Sequence, residues 1–297
     1  MTTSTRKDVA VLRDLARQYL EIASDPIQET RRRLWRDHNS LRPTPVVPVL
    51  VDFGMWNFWC REVFGDQAMA CQDPFYRLYE RNLRMSLFQH SVGDDTVLEP
   101  WITVVATKPR GPDNVWGVPM NHSENGESGA WTMAPPIVEW TDVARLSPPP
   151  HVIDEQATAA NVARLGEAIG DILPINVNRG PLWSDLAFHA GQLRGIEQLM
   201  IDMYEHPKEL HALMAFMRDG VLANQQAAEE AGDLGSANQA ARSPYAHETV
   251  PPAANSYGHR RRELWAAMAA QEFEGVSPAM HDEFLLQYQL PILKPWA

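Results

Sequence analysis

Three side chains that can exchange protons stand close together in the stretch "SPYAHET": Tyr245, His247 and Glu248. A phenol, an imidazole and a carboxylate can serve as general acid and base where their polar atoms converge. Polar loops of this composition are also common in proteins without any catalytic role. The sequence therefore offers these three residues as catalytic candidates, provided that the fold brings their side chains together.

Other polar residues stand beside the predicted strands and are candidates for substrate binding. Asp52 and Glu99 lie at or beside apolar runs, and Asn178 and Arg179 end the run "DILPINVNRG". The ends of parallel strands are common ligand-binding positions, although a carboxylate there can equally cap a turn. His189 leads from this run into a helix, where a hydrogen-bonded structural histidine is the commoner role.

The histidines and cysteines form no metal signature. His206 and His211 are five residues apart, so they would lie on different faces of a helix, and Cys60 and Cys71 form no CxxC pair. An HExxH motif and a glycine-rich phosphate loop are also missing. The sequence predicts no metal site and no cofactor bound by this chain.

The charge of the chain excludes several kinds of partner. The net charge is −12, from 26 Lys and Arg against 38 Asp and Glu, whereas nucleic-acid binding needs a concentrated positive surface. Apolar runs of membrane-spanning length and a signal-peptide-like N-terminus are both absent from the sequence. We expect a cytoplasmic protein with a small-molecule substrate and no nucleic-acid or membrane partner.

Apolar runs alternate with helical periodicity and predict an α/β fold. The predicted strands are Val46–Val51, Val97–Thr107, residues 171–180 and a weaker run from Asp233. Val46–Val51 is apolar at nearly every position, as in a strand buried on both faces of a parallel sheet. Apolar residues at three- and four-residue steps predict helices over 8–36, 73–92, 155–170, 191–206, 207–232 and 260–274, and a final helix capped by Ser277. Alternation of this kind indicates parallel strands with helical crossovers.

Residues 108–150 are irregular and rich in Gly, Pro and Asn, with Trp116, Trp131 and Trp140 among them. A long irregular segment in a compact domain is often functional. Two interpretations stay open: the segment is a tryptophan-bearing lid over a pocket, or it is a surface loop that its tryptophans anchor to the rest of the protein. We treat it as an insertion in a single domain of residues 1–297, with residues 1–45 as an N-terminal helical extension.

Two long stretches carry a family resemblance. The first runs from "GDILPINVNRGPLW" through "RGIEQLMIDMYEHPKELHALMAFMRDGVLANQQAAEEAGDLG", and the second is "VSPAMHDEFLLQYQLPIL". They resemble the uroporphyrinogen decarboxylase superfamily, in its Leu-Pro strand, its helix ending in "MYE-x-P", its long helix, and its "SP-x-x-F-x-E-F-x-x-P-Y" helix. His281 stands where that family often has an aromatic residue. The resemblance implies a (β/α)8 barrel with its site at the C-terminal rim of the strands.

The superfamily has two main chemistries. One branch removes carboxyl groups from uroporphyrinogen without a cofactor, and the other transfers methyl groups between small methylated substrates or thiols and a corrinoid protein, often with zinc. Decarboxylases grip substrate carboxylates with an arginine-rich "RQAGRYLPEY"-like stretch. The corresponding place here, "VDFGMWNFWCREVFG", lacks the arginine pair and carries Trp56, a candidate for substrate contact. This favours the methyltransferase branch.

The resemblance also indicates what the chain lacks. In the methyltransferases a strand after the "SP" helix carries the His-x-Cys or Cys-Cys pair that binds zinc, and the sequence reaches Ala297 without such a pair. We therefore expect an incomplete barrel without roughly its last three strands. Gln239 follows the substrate-binding candidate Asn238 where relatives have His, and Ala246 follows Tyr245 where relatives have Cys. Both changes remove groups that could bind a metal or transfer a proton.

Three functions remain open on this reading. The favoured one is methyl transfer from a small methylated substrate, with zinc and a corrinoid protein belonging to a longer parent protein. The second is decarboxylation of a tetrapyrrole. The third is a catalytically inactive partial barrel that binds a relative, a corrinoid protein or a second copy of itself through its open sheet edge.

Overall fold

The computed structural model describes residues 3–51, 60–110, 114–122, 133–182, 185–238 and 245–296. Over these residues the protein is mostly helical and contains a pair of parallel strands, so the predicted α/β character is confirmed. In chain order the helices are α1 (Thr3–Ala23), α2 (Ile27–Asn39), α3 (Arg61–Phe64), α4 (Pro74–Val92), α5 (Glu155–Ile169), α6 (Leu186–Arg194), α7 (Ile196–Glu205), α8 (Pro207–Glu230), α9 (Pro278–His281) and α10 (Gln287–Leu293). A π-helical segment, Asp282–Leu286, joins α9 to α10.

Several helices begin where the sequence predicts. The Asp73 carboxylate accepts the backbone N–H of Phe75 at the start of α4, and the Ser277 hydroxyl accepts that of Met280 at the start of α9. These bonds satisfy amide groups that the first helical turn leaves without a partner. Pro207 occupies the first position of α8, where its missing N–H costs nothing.

The parallel strands are β1 (Ile102–Val105) and β4 (Ile175–Asn178), paired with Ile102 opposite Ile175. The helix α5, which lies between them in sequence, packs against both strands. Two further short strands, β2 (Asn121–His122) and β3 (Met133–Ala134), pair antiparallel within the irregular segment. The predicted strands at 97–107 and 171–180 are thus confirmed in shorter form. A closed barrel is not observed in the described residues.

Two predicted strands are wrong. Residues 46–51 run irregularly, and the Val46, Val47 and Val49 side chains are more than half exposed. The Asp94 and Asp95 carboxylates accept the backbone N–H groups of this segment at Val51 and Val49. Prolines at three positions in 43–48 remove further donors that a sheet would need.

The weak strand from Asp233 is wrong as well, because Ser236–Asn238 forms a 3-10 turn. Its hydrogen bonds run to loop backbone, as in the bond from the Ser236 N–H to the Ser256 carbonyl.

Several predicted helices are divided or missing. The 8–36 helix breaks at residues 24–26 into α1 and α2, and the 191–206 helix breaks at Gly195, whose φ of +88° a helix cannot contain. In place of the helix at 260–274 stand two 3-10 turns, Arg261–Glu263 and Gln271–Phe273. Pro291 lies inside α10, which continues for two residues beyond it.

The chain divides into two compact units. Unit 1 comprises Met1–Thr107, Glu155–Asn178 and Gly235–Ser256; unit 2 comprises Lys108–Asp154, Arg179–Leu234 and Tyr257–Ala297. Each has its own hydrophobic core, that of unit 1 around Leu12, Leu83, Val104, Leu165 and Ile169, and that of unit 2 around Trp116, Leu193, Leu213, Met217 and Phe284. In the part of the chain that the structure describes, no helix is long and apolar enough to cross a membrane.

Candidate functional site

The structure brings one predicted catalytic residue into contact with one predicted binding residue. In unit 1 the Tyr245 hydroxyl donates a hydrogen bond to Oε1 of Glu99, although the two residues are 146 positions apart in sequence. Both side chains line a cavity of about 300 Å³, together with Tyr19, Asn82 and other residues of the same unit. This cavity is the best candidate site among the sequence-predicted residues.

A bidentate ion pair fixes the Glu99 carboxylate. Arg32, on α2, donates from Nε to Glu99 Oε1 at 3.1 Å and from Nη2 to Oε2 at 2.7 Å. Burial acts to lower the pKa of Arg32, but the hydrogen bonds and charge of Glu99 outweigh it and hold that pKa above its ordinary value. The negative charge at the cavity is therefore matched by a positive one, and the carboxylate has one defined orientation.

The two tyrosines of the cavity are neutral hydrogen-bonding groups. Burial, reinforced by the charge of Glu99, raises the pKa of Tyr245 and of Tyr19 well above the ordinary phenol value. The Tyr19 hydroxyl donates to the Glu99 backbone carbonyl at 3.0 Å. Since neither phenol ionises near neutral pH, Tyr245 acts as a positioned donor and acceptor rather than as a base.

Helix α2 positions Glu99 and Tyr245, because one face of the helix packs along the segment that precedes β1. The Arg31 guanidinium donates to the Thr96 carbonyl at 3.0 Å, and the Trp35 indole donates to the Asp95 carbonyl at 2.7 Å. Farther along, the Asn39 amide donates to the Tyr245 carbonyl at 2.9 Å. The same helix thus holds both partners of the Glu99–Tyr245 contact.

The other two catalytic candidates lie elsewhere on unit 1. His247 and Glu248 are exposed; His247 Nε2 lies 3.1 Å from an Asp37 carboxylate oxygen, and Glu248 accepts the Ser40 hydroxyl at 3.0 Å. These contacts fasten the loop to the end of α2. Tyr245 is buried, so the structure does not bring the three side chains together.

The remaining binding candidates are dispersed. Asn178 ends β4, and its carbonyl accepts the Ala106 N–H. Asn238 ends the 3-10 turn in unit 1, while Asp52 and Trp56 lie outside the described residues. In unit 2 the Arg179 guanidinium pairs with Asp233, a residue that the sequence did not indicate.

His189, also in unit 2, has the structural role that the sequence gave as the commoner one. Its Nδ1 accepts the indole N–H of the fully buried Trp116 at 2.8 Å. Burial lowers the pKa of His189 to about 4, so the ring is neutral at physiological pH. Trp116 therefore belongs to the core of unit 2, and Trp131 lies outside the described residues.

Sequence reasoning missed Arg32 and Tyr19. Arg32 lies in a run of three arginines that looks like a solvated charge cluster. The sequence feature that could have indicated its role is the spacing of three residues from Trp35, which places both side chains on one face of a helix. A metal centre has no support among the described residues, which contain no group of three His, Cys, Asp or Glu placed to hold an ion.

Comparisons with known proteins give no further assignment. A scan against protein-family models finds no match to the chain. Searches of curated proteins and of solved structures find none either.

Proposed function

We propose that this chain is part of an enzyme that resembles the uroporphyrinogen decarboxylase superfamily. The proposed activity is transfer of a methyl group from a small methylated substrate to a corrinoid. The observation that carries the proposal is the cavity of about 300 Å³ where Tyr245 and Glu99 meet. The parallel pairing of β1 and β4, with α5 packed on both, supports the further proposal of an incomplete (β/α)8-type barrel.

The size of the cavity favours a small substrate over a tetrapyrrole. Ligand cavities of drug-sized molecules span about 300–1,000 Å³, so this one lies at the lower limit and suits a compact molecule. Uroporphyrinogen is much larger and carries many carboxylates. Its recognition would require spare cations, whereas Arg32 is already committed to Glu99 by two hydrogen bonds.

The lining residues can orient a methylated amine, alcohol or thiol. The Tyr245 hydroxyl donates a hydrogen bond to Glu99, and its oxygen keeps lone pairs that can accept a hydrogen bond from a substrate N–H, O–H or S–H. Fixing the polar end in this way directs the methyl carbon away from Tyr245 and leaves it open to attack by the reduced cobalt of the corrinoid. The cobalt supplies the electron pair of the new bond, and the nitrogen, oxygen or sulfur atom leaves with the pair of the broken bond and takes a proton from water. Such positioning accounts for a large part of the rate of many enzymatic transfers.

Zinc and the corrinoid enter this proposal differently. The described residues contain no group of side chains that fits zinc, and the proposed transfer does not include that metal. A corrin ring is also too large for the cavity, and the resemblance implies that a separate protein presents it as the second substrate.

The proposal is tested by incubating purified residues 1–297 with reduced cobalamin and a panel of methylated amines, alcohols and thiols. We expect at least one donor to methylate the cobalamin, as followed by its absorbance. Methylation at the rate of a protein-free control for every donor would contradict methyl transfer by this chain.

The two rival functions are decided by parallel measurements. Incubation with uroporphyrinogen and mass spectrometry should find no loss of carboxyl groups, and a loss would establish decarboxylation instead. Light scattering after size-exclusion chromatography tests a binding role through an open sheet edge. A chain that is entirely monomeric would count against assembly of two copies through that edge.

A further inference from the structure

A second cavity of unit 1, of about 640 Å³, opens to solvent between helices α1, α3 and α4. Most of its lining residues are apolar, and charged side chains line it at Asp14 of α1 and Arg84 of α4. Among the described residues it shares no lining residue with the cavity of Tyr245 and Glu99. Mostly apolar cavities of this size with a few polar groups are typical small-molecule sites.

The apolar wall of this cavity is partly uncovered. The rings of Phe64 and Phe88 meet edge to face, with their centroids 5.6 Å apart. Phe64 is buried, whereas Phe88 is 47% exposed and Val63, beside Phe64 on α3, is 55% exposed. Apolar surface that faces water in a concave site favours an apolar group that covers it. The wall therefore suits an aliphatic or aromatic side chain of a ligand.

Arg84 presents donors that no described residue uses. Its Nε donates to Oε1 of the fully buried Glu80 at 2.8 Å, and Glu80 also accepts the backbone N–H groups of Ala70 and Cys71. Burial acts to raise the pKa of Glu80, but these hydrogen bonds outweigh it and hold that pKa below its ordinary value. The ionised Glu80 thus orients the guanidinium by one of its five N–H groups. The Nη1 and Nη2 groups have no hydrogen-bond partner among the described residues, and such a fork binds a carboxylate through two hydrogen bonds.

Asp14 presents acceptors to the same cavity. Its Oδ2 accepts the Gln18 amide N–H at 2.8 Å, and no cation of the described residues forms an ion pair with this carboxylate. Its remaining lone pairs can accept N–H groups of a ligand. Since α1 and α4 pack along each other, Asp14 and Arg84 line the cavity from two neighbouring helices.

The arrangement matches a ligand that carries both charges and an apolar group. A ligand with a carboxylate alone would also meet the like charge of Asp14, and one with an ammonium alone would meet the like charge of Arg84. A zwitterion avoids both conflicts and has no net charge, so the neutral Arg84–Glu80 pair can bind its carboxylate through directed hydrogen bonds. An α-amino acid carries its ammonium, carboxylate and side chain on one carbon atom, which gives it all three of the required groups.

We propose that the cavity between α1, α3 and α4 binds a free α-amino acid with an apolar side chain. The Nη1 and Nη2 groups of Arg84 donate to its carboxylate, Asp14 accepts from its ammonium, and Phe88 with the apolar wall covers its side chain. The site does not depend on the proposed methyl transfer at the cavity of Tyr245 and Glu99.

The test is titration calorimetry of the full chain with L-phenylalanine, L-leucine and L-methionine. We expect saturable binding of at least one of the three. For the amino acid that binds most tightly, the analogue without the amino group and the analogue without the carboxyl group should each bind at least fivefold more weakly. No saturable binding of any of the three, or an analogue that binds as tightly as its amino acid, would overturn the proposal.

Asp14→Asn locates the ammonium in the cavity. Asp14 is exposed, so the variant should fold, bind the amino acid at least fivefold more weakly and lose the preference over the analogue without the amino group. Glu21→Gln removes the same charge from an exposed position of α1 outside the cavity and should leave binding within twofold. A wild-type preference in Asp14→Asn would contradict the proposal.

Arg84→Lys tests the carboxylate fork. The lysine keeps a cation for Glu80 but cannot offer two parallel N–H groups, so amino-acid binding should weaken at least fivefold. Arg17→Lys, the same change at an exposed position of α1, should leave binding within twofold. Equal affinities of the two variants would overturn the proposal.

A pair of truncations on α4 covers the case in which Arg84→Lys does not fold. Phe88 and Leu78 are 47% and 48% exposed, and of the two only Phe88 lines the cavity. Phe88→Ala should weaken binding at least threefold, whereas Leu78→Ala should leave it within twofold. Equal affinities would place the amino acid outside this cavity.

Discussion

Tyr245 and Glu99 illustrate what single residues reveal before a structure is known. Each stands out in sequence, one in a polar loop and one beside an apolar run, but 146 positions separate them. Local pattern cannot predict a contact of that span, because it depends on the path of every element between them. Arg32 was missed for a related reason, since a run of arginines looks like a solvated helix face until the fold places the partly buried Glu99 carboxylate opposite it.

The ion pair at the cavity gives the first prediction. Glu99→Gln removes the carboxylate that Arg32 pairs with through two hydrogen bonds and leaves the partly buried guanidinium only the more exposed Glu29 carboxylate at 3.6 Å, so the free energy of unfolding should fall by about 2 kcal/mol. Guanidinium chloride denaturation measures it. Glu21→Gln, the same change at an exposed position of α1, should alter stability by less than about 0.5 kcal/mol. Equal stability of the two variants would show that the pair contributes nothing.

The buried His189 gives a prediction in pH. The unfolded chain binds a proton on this residue near pH 6.5, whereas the folded chain binds it only near its pKa of about 4. Stability from the neutral ring is therefore complete above pH 6.5 and is lost as the pH falls towards 4, by about 3 kcal/mol in total.

The matched variants for this prediction are His189→Asn and His281→Asn. An asparagine at 189 can still accept the Trp116 indole N–H without titrating, so its unfolding free energy should fall less steeply between pH 6.5 and 4. His281 is partly exposed, and its replacement should keep the wild-type slope. The same slope in all three proteins would remove His189 as its cause.

At the scale of elements, helix starts were predicted better than helix lengths and strands, for physical reasons. Caps such as Asp73 and Ser277 are local, so sequence alone places the helix starts. The apolar run at 46–51 satisfies the pattern of a buried strand, but pairing requires a neighbour, and the N–H groups of Val49 and Val51 bond carboxylates instead. An apolar run does not by itself determine whether a segment pairs with another strand.

The break between α6 and α7 gives a prediction at this scale. Gly195 has a φ of +88°, and a Cβ added there would lie 3.2 Å from the Pro135 Cγ atom. Gly195→Ala should therefore reduce the free energy of unfolding by about 2 kcal/mol. Gly166→Ala places the same methyl group in open space inside α5 and should raise stability by up to about 1 kcal/mol. Thermal unfolding compares them, and an unchanged Gly195→Ala protein would contradict a conformational role for the glycine.

At the scale of the whole molecule, two cores lie in two units, and the cavity with Tyr245 and Glu99 is built entirely from unit 1. The sequence predicted an α/β chain and parallel strands, both of which the described residues contain. It did not predict the two cores, because apolar periodicity shows which face of an element is buried but not which elements share a core. The barrel and the methyl transfer stay predictions.

The measurement that tests the central claim most directly is kcat/KM for methylation of reduced cobalamin by the best donor, compared between wild type and Tyr245→Phe. The variant removes one hydroxyl and keeps the ring, so its free energy of unfolding should change by only about 1 kcal/mol. If the Tyr245 oxygen positions the substrate, kcat/KM should fall at least tenfold. A folded Tyr245→Phe protein with the wild-type kcat/KM would show that substrate binds elsewhere.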